Sequence, residues 1–69
     1  MQPARPKIII IIEKNVMIGM GTIIMPGVTI GEGSIIGAGS IVSKDIPAWK
    51  IATGCPAKVV KEIPQKLPE

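Results

Sequence analysis

Residues 12–47 read IEKNVM IGMGTI IMPGVT IGEGSI IGAGSI VSKDIP when they are divided into sixes. The first position of every unit is aliphatic: Ile12, Ile18, Ile24, Ile30, Ile36 and Val42. An amphipathic helix would instead repeat its apolar residues at intervals of three and four. The spacing of six therefore predicts repetitive β-structure with these side chains buried.

The fourth position of each unit predicts a turn. It holds residue types that tolerate a left-handed backbone, namely Asn15, Gly21, Gly27, Gly33, Gly39 and Asp45. Alternate residues of a short strand share a face, so the fifth residue of one unit and the first of the next should both point inward. Three strands and three turns then close one triangular coil, and stacked coils pair in parallel. The sequence thus predicts an all-β, parallel β-helix of about two coils.

The composition limits the kinds of site and the compartment. The chain has 69 residues, no histidine and a single cysteine, Cys55. A disulfide within the chain is excluded, and we expect no metal site, because zinc centres are built from several cysteines and histidines. One free cysteine and no recognisable secretory signal predict a cytoplasmic protein.

Membranes and nucleic acids are both disfavoured as partners. The uncharged stretch 15–31 is shorter than the roughly 20 apolar residues of a spanning helix, and Pro26 followed by Gly27 interrupts it. The net charge is only +3, and the sole aromatic residue is Trp49. No aromatic stacking platform therefore accompanies the lysines, as single-stranded nucleic acid would require.

A family resemblance appears where the repeat ends. The stretch IGAGSIVSKDIP, followed by GCPAKVVKEI, resembles the C-terminal part of the hexapeptide-repeat acetyltransferases, which include galactoside, maltose and serine acetyltransferases and surface-sugar O-acetylases. The resemblance extends from Ile8 to Ile63. It implies the left-handed form of the β-helix over residues 8–47. It also implies an extension over residues 48–69 with a coenzyme A-type loop, and we expect a short helix near 57–63.

The resemblance also implies a binding site for acetyl-CoA as co-substrate. Ala38 would meet the pantetheine arm through its backbone, and Met20 falls at the position of a small polar contact in the family. Ser43 and Lys44 would flank the cofactor. The phosphates of the nucleotide end would face Lys58 and Lys61. Four lysines against one aspartate between residues 44 and 61 would attract such an anion.

The catalytic residue that the family uses is not found in this sequence. Acetyl transfer to a hydroxyl needs a general base, which the resemblance assigns to a histidine in an upstream coil. Glu13 and Glu32 occupy turn positions and are expected to be solvated. We therefore expect no catalytic residue and no activity from the chain alone. Two hypotheses remain open. One is the C-terminal part, a fragment, of an O-acetyltransferase acting on a sugar or similar hydroxyl. The other is a non-catalytic β-helix module for trimerisation or partner binding.

Outward-pointing residues predict self-association. Residues one coil apart should stack, which pairs Met17 with Ile35 and Ile23 with Ile41, and places Ile11 with Thr29 and Pro47. The first two pairs are entirely apolar, and a soluble monomer rarely leaves such stripes in water. Family trimers pack their prism faces around a three-fold axis, so we expect a homotrimer or a larger assembly.

Overall fold

The computed structural model describes residues 8–64, which form eight strands and no helix. Six strands are two residues long: Ile11–Ile12 (β1), Met17–Ile18 (β2), Ile23–Ile24 (β3), Thr29–Ile30 (β4), Ile35–Ile36 (β5) and Ile41–Val42 (β6). Two longer strands follow, Lys50–Gly54 (β7) and Ala57–Glu62 (β8). The all-β prediction is confirmed. No helix among the described residues is long and apolar enough to cross a membrane.

The strands pair one coil apart, as the period of six requires. β1 pairs in parallel with β4, β2 with β5 and β3 with β6. Each residue lies beside the one that occupies the same place in the following coil, as in Ile11 with Thr29 and Ile23 with Ile41. A left-handed backbone turns the chain at most of the predicted corners: Asn15, Gly21, Gly27, Gly33 and Gly39 all have positive φ. Asp45 does not share this conformation, because the corner that contains it has a different length.

The interior is packed best in the second coil and above it. Ile30, Ile36, Val42 and Ile46 are buried, together with Val28 and Ala52. Ile12 is 47% exposed, Ile18 is 38% exposed and Ile24 is only partly buried, so the prediction that all six first-position residues are buried is wrong for these three. The reason is geometric: each inward side chain is covered by the coils on both sides of it, and no complete coil of the described residues lies below β1, β2 and β3.

The coil becomes shorter after β6. In the lower coils Ile12 pairs with Ile30, which is one full coil later, whereas Ile30 meets Ile46, which falls two positions short of a full coil. A full coil would place Ile46 beside Val28, whereas it pairs with Ile30. Pro47 was expected to continue the outward row of Ile11 and Thr29, and this is wrong. The sequence VSKDIP has the length of a full repeat, but its corner between Val42 and Ile46 is shorter than the others.

The extension forms an antiparallel hairpin rather than a loop and a short helix. β7 adds to β5 in parallel, with Ile51 beside Ile35, and β8 then returns antiparallel along β7. The turn between them contains a cis peptide bond at Cys55-Pro56. The predicted helix near 57–63 is wrong, because residues 57–62 complete a four-stranded sheet of β2, β5, β7 and β8.

Two buried serines hold the chain where it leaves the repeat. The Ser34 hydroxyl donates to the Pro47 carbonyl (2.6 Å) and accepts from the Lys50 amide (3.1 Å). The Ser40 hydroxyl accepts from the Gly54 amide (3.1 Å) and donates to the Gly37 carbonyl (2.7 Å). Both serines occupy fifth positions of the repeat and are fully buried. Buried polar groups are stable only when they are hydrogen-bonded, and here the bonds join the hairpin to the second coil.

Candidate functional site

One corner of the coil stacks Ala38 above Met20. The Gly39 amide donates to the Met20 carbonyl at 2.9 Å, which ties the two turns together. A Cβ atom at Gly19 would collide with the backbone of Ala38, so the two chains approach as closely as glycine allows. Ala38 is exposed, and Met20 is 89% exposed. This corner therefore presents backbone and a flexible apolar side chain to the surroundings of the coil.

The next corner along the chain holds Ser43 and Lys44 beside a cavity. The cavity has a volume of about 470 Å³ and is lined by residues of two stacked corners: Pro26, Gly27, Val28, Ser43, Lys44 and Asp45. The lower corner has the full repeat length and the upper one is shorter by two positions, and the space lies between them. Sequence reasoning identified Ser43 and Lys44 but missed the other four residues, because the short corner is hidden inside a unit of normal length.

The hairpin carries Lys58 and Lys61 on one face. Lys61 pairs directly with Ile51, and Lys58 pairs with Thr53. Residues that pair directly across an antiparallel ladder share a face, and so do Ile51 and Thr53, which alternate along β7. An irregularity in the register at Ile51 and Ala52 lets Lys58 and Lys61 follow them, although they are three residues apart in β8. Ala52, between the two partners, is fully buried. The two lysines therefore lie on the outer face of the sheet, where both are exposed.

The hairpin also brings Lys58 towards the Ala38 corner. Its partner Thr53 lies against Gly37, since a Cβ atom at Gly37 would be 2.6 Å from the Thr53 hydroxyl oxygen. Gly37 immediately precedes Ala38 in the chain. The structure thus places Lys58 one strand away from the corner formed by Met20 and Ala38. Ser43 and Lys44 lie at the other end of β6, on the neighbouring corner.

The ion pairs divide the lysines into two groups. Lys50 is 2.7 Å from Glu62, and Lys14 is 3.8 Å from Glu32. Within residues 8–64 no carboxylate pairs with Lys44, Lys58 or Lys61. The basic cluster expected from the sequence is therefore smaller by one, because Glu62 neutralises Lys50. The three remaining lysines are those that the resemblance places beside the cofactor.

The carboxylates of Glu13 and Glu32 and the thiol of Cys55 lie in turn segments of the coil and the hairpin. Glu13 and Glu32 are joined through the backbone, since the Glu32 amide donates to a Glu13 carboxylate oxygen at 3.0 Å. Cys55 is a free, exposed thiol in the hairpin turn. Residues 8–64 include no cluster of three metal-ligating side chains.

Residues 9–44 match the family model described as bacterial transferase hexapeptide (six repeats). The chain belongs to this hexapeptide transferase family. The match includes five of the six repeat units, and the corner with Ser43 and Lys44 lies at its end.

Relatives within the hexapeptide transferases are acetyltransferases with different acceptors. The 2,3,4,5-tetrahydropyridine-2,6-dicarboxylate N-acetyltransferase of Staphylococcus carnosus is 51% identical over 77% of this chain and 22% of its own length. The solved maltose O-acetyltransferase of Clostridium difficile is 52% identical with a TM-score of 0.80, over 81% of this chain and 30% of its own. A galactoside acetyltransferase solved with coenzyme A is 56% identical with a TM-score of 0.78, over 80% and 28%. The structural matches confirm the left-handed parallel β-helix. This chain spans less than a third of each of these proteins.

Proposed function

We propose that this chain forms the coenzyme A-binding edge of an acetyl-CoA-dependent acetyltransferase. The observation that carries the proposal is the placement of Lys58 on the outer face of the hairpin, beside the corner of Met20 and Ala38. A ligand lying along this corner would meet exposed backbone first and unneutralised lysines next. Coenzyme A has that order of groups, with an amide-containing pantetheine arm followed by a phosphorylated nucleotide.

The charges of the site fit the nucleotide end of coenzyme A. Its phosphates would lie near Lys58 and Lys61, and Lys44 would approach from the neighbouring corner. Hydrogen bonds between an ammonium group and a phosphate are about twice as strong as neutral ones. The amide groups of pantetheine would pair with the backbone exposed at Ala38. Ser43 would offer a hydroxyl beside the cavity.

The acceptor and the catalytic base would be supplied outside this site. Acetyl transfer needs a group that removes a proton from the acceptor within hydrogen-bonding reach, and the sequence has no histidine. We propose a sugar or similar hydroxyl as the acceptor, supported by the maltose O-acetyltransferase among the solved relatives. We expect no turnover from this chain alone. The free thiol of Cys55 is consistent with a cytoplasmic location.

Assembly into trimers would place this edge against a second subunit. Met17 is 65% exposed and Ile23 is 55% exposed. Each lies beside a half-buried isoleucine of the next coil, Ile35 and Ile41 respectively, so two apolar stripes run along the outside of the coil. β7 lengthens the first stripe, because Ile51 pairs with Ile35. These exposed stripes also favour the second candidate function, a non-catalytic module for trimerisation or partner binding. Coenzyme A binding distinguishes the two functions, because only the first requires it.

Calorimetric titration of the 69-residue chain with coenzyme A tests the proposal. We expect Lys58→Ala and Lys61→Ala each to weaken binding about 5- to 10-fold, since a charge-assisted contact contributes on the order of 1–1.5 kcal/mol at an exposed site. Lys14→Ala is the matched control. It removes an exposed lysine from a different corner, paired with Glu32, and should leave the affinity unchanged.

The same titrations separate specific binding from general attraction of anions. Pantetheine, which lacks the nucleotide, should bind more weakly and should not respond to the Lys58 and Lys61 substitutions. Raising the salt concentration should weaken coenzyme A binding more than pantetheine binding. Equal losses in all three lysine variants, or no binding of coenzyme A by the wild-type chain, would favour the module over the acetyltransferase.

A further inference from the structure

The short corner changes the hydrogen-bond pattern between coils. Below the short corner, the amide of the residue that follows a strand donates to a carbonyl of the next coil. The acceptor lies one residue short of a full coil later in the sequence, as from Glu13 to Ile30 and from Met25 to Val42. Above it, the acceptor lies two positions nearer in sequence, as from Gly31 to Ile46. The change occurs at the amide of Thr29, the first residue of β4, which lies beside the short corner.

The side chain of Asp45 fills the gap in this pattern. The equivalent strand-entry amides of Ile11, Met17 and Ile23 all donate to backbone carbonyls, at 2.9–3.0 Å. The Thr29 amide instead donates to Oδ1 of Asp45 at 2.9 Å. The Ile46 amide returns a bond of 2.9 Å to the Thr29 carbonyl. A carboxylate oxygen thus replaces a carbonyl, and the corner can be shorter without leaving a strand amide unpaired.

This replacement determines where Ser43 and Lys44 lie. Both precede Asp45 in a corner that is held at one end by β6 and at the other by the Asp45–Thr29 bond. All three residues line the cavity together with the lower corner of Pro26 and Gly27. We propose that Asp45 is a positioning residue, which holds the turn of Ser43 and Lys44 in the geometry that binds coenzyme A. The part about coenzyme A rests on the proposed function, whereas the part about the turn does not.

Amide hydrogen exchange on the full 69-residue chain tests the structural part. Asp45→Ala removes the acceptor, and exchange at the Thr29 amide should accelerate about 10-fold or more, as expected for loss of a hydrogen bond to a charged group. The amides of Ile11, Met17 and Ile23 are internal references and should keep their protection. Asp45→Asn retains an Oδ1 acceptor and should stay within roughly threefold of the wild type.

Two results would overturn the structural part. One is no acceleration at Thr29 in Asp45→Ala. The other is an equal acceleration at Thr29 and at the three reference amides, which would show general loosening rather than loss of a local bond. If Asp45→Ala does not fold, Asp45→Asn decides the matter, because full loss of Thr29 protection in that variant would show that the Oδ1 contact is not what holds the turn.

The coenzyme A affinity of the same variants distinguishes two effects of Asp45, its positioning of the turn and its negative charge. Both substitutions remove a negative charge next to Lys44, so electrostatics alone would strengthen binding of a polyanion in both. Positioning predicts about 10-fold weaker binding in Asp45→Ala and near wild-type binding in Asp45→Asn. Glu13→Ala is the matched control, because it deletes another carboxylate-to-amide bond, at a corner away from the cavity, and should not change the affinity.

The outcomes for the two proposals can be told apart. Stronger or unchanged binding in Asp45→Ala, with selective loss of Thr29 protection, would overturn the positioning role while leaving the coenzyme A site intact. A wild-type chain that does not bind coenzyme A would overturn the proposed function and with it the positioning of a cofactor. The exchange result at Thr29 would still decide whether Asp45 builds the turn.

Discussion

The ammonium of Lys50 lies 2.7 Å from a carboxylate oxygen of Glu62, and the two residues are direct partners in the β7–β8 ladder. The hydrogen bond from Lys50 and its charge lower the pKa of Glu62 below its ordinary value of 4.5. Because the pKa is lower in the folded than in the unfolded chain, the pair stabilises the hairpin above about pH 4.5. That stabilisation is lost as the pH falls through the lowered value.

We therefore expect acid to loosen the hairpin in a way that depends on Glu62. Glu62→Gln should reduce the loss of thermal stability between pH 6 and pH 3, and Lys50→Met should reduce it to the same extent. The measurement is the midpoint of thermal unfolding, followed by circular dichroism across that range. A pH dependence that is identical in the wild type and both variants would show that the pair contributes nothing, as is common for exposed ion pairs.

The cost of truncating an inward isoleucine should depend on its coil. Ile30 is fully buried and Ile12 is 47% exposed, although both occupy the same position of the repeat and pair with each other. Ile30→Ala should lower the free energy of unfolding by about 2–5 kcal/mol, and Ile12→Ala by roughly half as much or less. Urea unfolding at one fixed protein concentration measures both. Equal losses would mean that another part of the assembly covers Ile12 as completely as the second coil covers Ile30.

Loss of the Ser34 hydroxyl should detach the start of the hairpin. Ser34→Ala would leave the Pro47 carbonyl and the Lys50 amide without their partner, at a cost of about 1–3 kcal/mol. Ser43→Ala is the control, because Ser43 is exposed and its substitution should change stability by less than about 0.5 kcal/mol. Exchange of the Lys50 amide, compared between the two variants, should be faster only in Ser34→Ala. Slow exchange in both would contradict the role given to Ser34.

Charges placed on the outer stripes should disturb assembly. Ile23→Lys and Ile35→Lys each put an ammonium on an apolar face, where a buried and unpaired charge is costly. Sedimentation velocity should show a trimer or larger species for the wild type and smaller species for at least one variant. Lys14→Ala serves as the control. A folded wild-type monomer at micromolar concentration, unaffected by either substitution, would refute the predicted assembly.

The period of six predicted the coil because it records which side chains point inward, and this alternation is the same in every strand. It predicted the stacking of Met17 with Ile35 and the left-handed backbone at Gly21, and both are confirmed. It could not reveal the short corner, because VSKDIP has the length and the first residue of a normal unit. The bond that compensates for it, from Thr29 to Asp45, joins residues whose partnership depends on that altered spacing.

The hairpin was missed for a different reason. Residues 57–62 have no apolar period, and their conformation is decided by pairing with β7, which in turn needs the free edge of β5. Of the candidate site, the lysines could be predicted by resemblance and by charge. That Lys50 is neutralised by Glu62 could not, because Glu62 lies outside the basic segment in sequence and meets Lys50 only across the ladder.

The antiparallel hairpin limits growth of the solenoid at one end. Parallel stacking on this face could continue beyond β7 only through a strand that runs the same way, and β8 runs the opposite way. A longer version of this fold would therefore have to gain its repeats before Pro47. Duplication of a whole coil, as from Ile12 to Thr29, would keep the hairpin and its two outer lysines on the same face of the prism. Insertion of a single hexapeptide between Met20 and Ala38 would instead rotate Ala38 and the hairpin together by one face and separate them from the corner of Met20, so only multiples of three units would conserve the binding edge there.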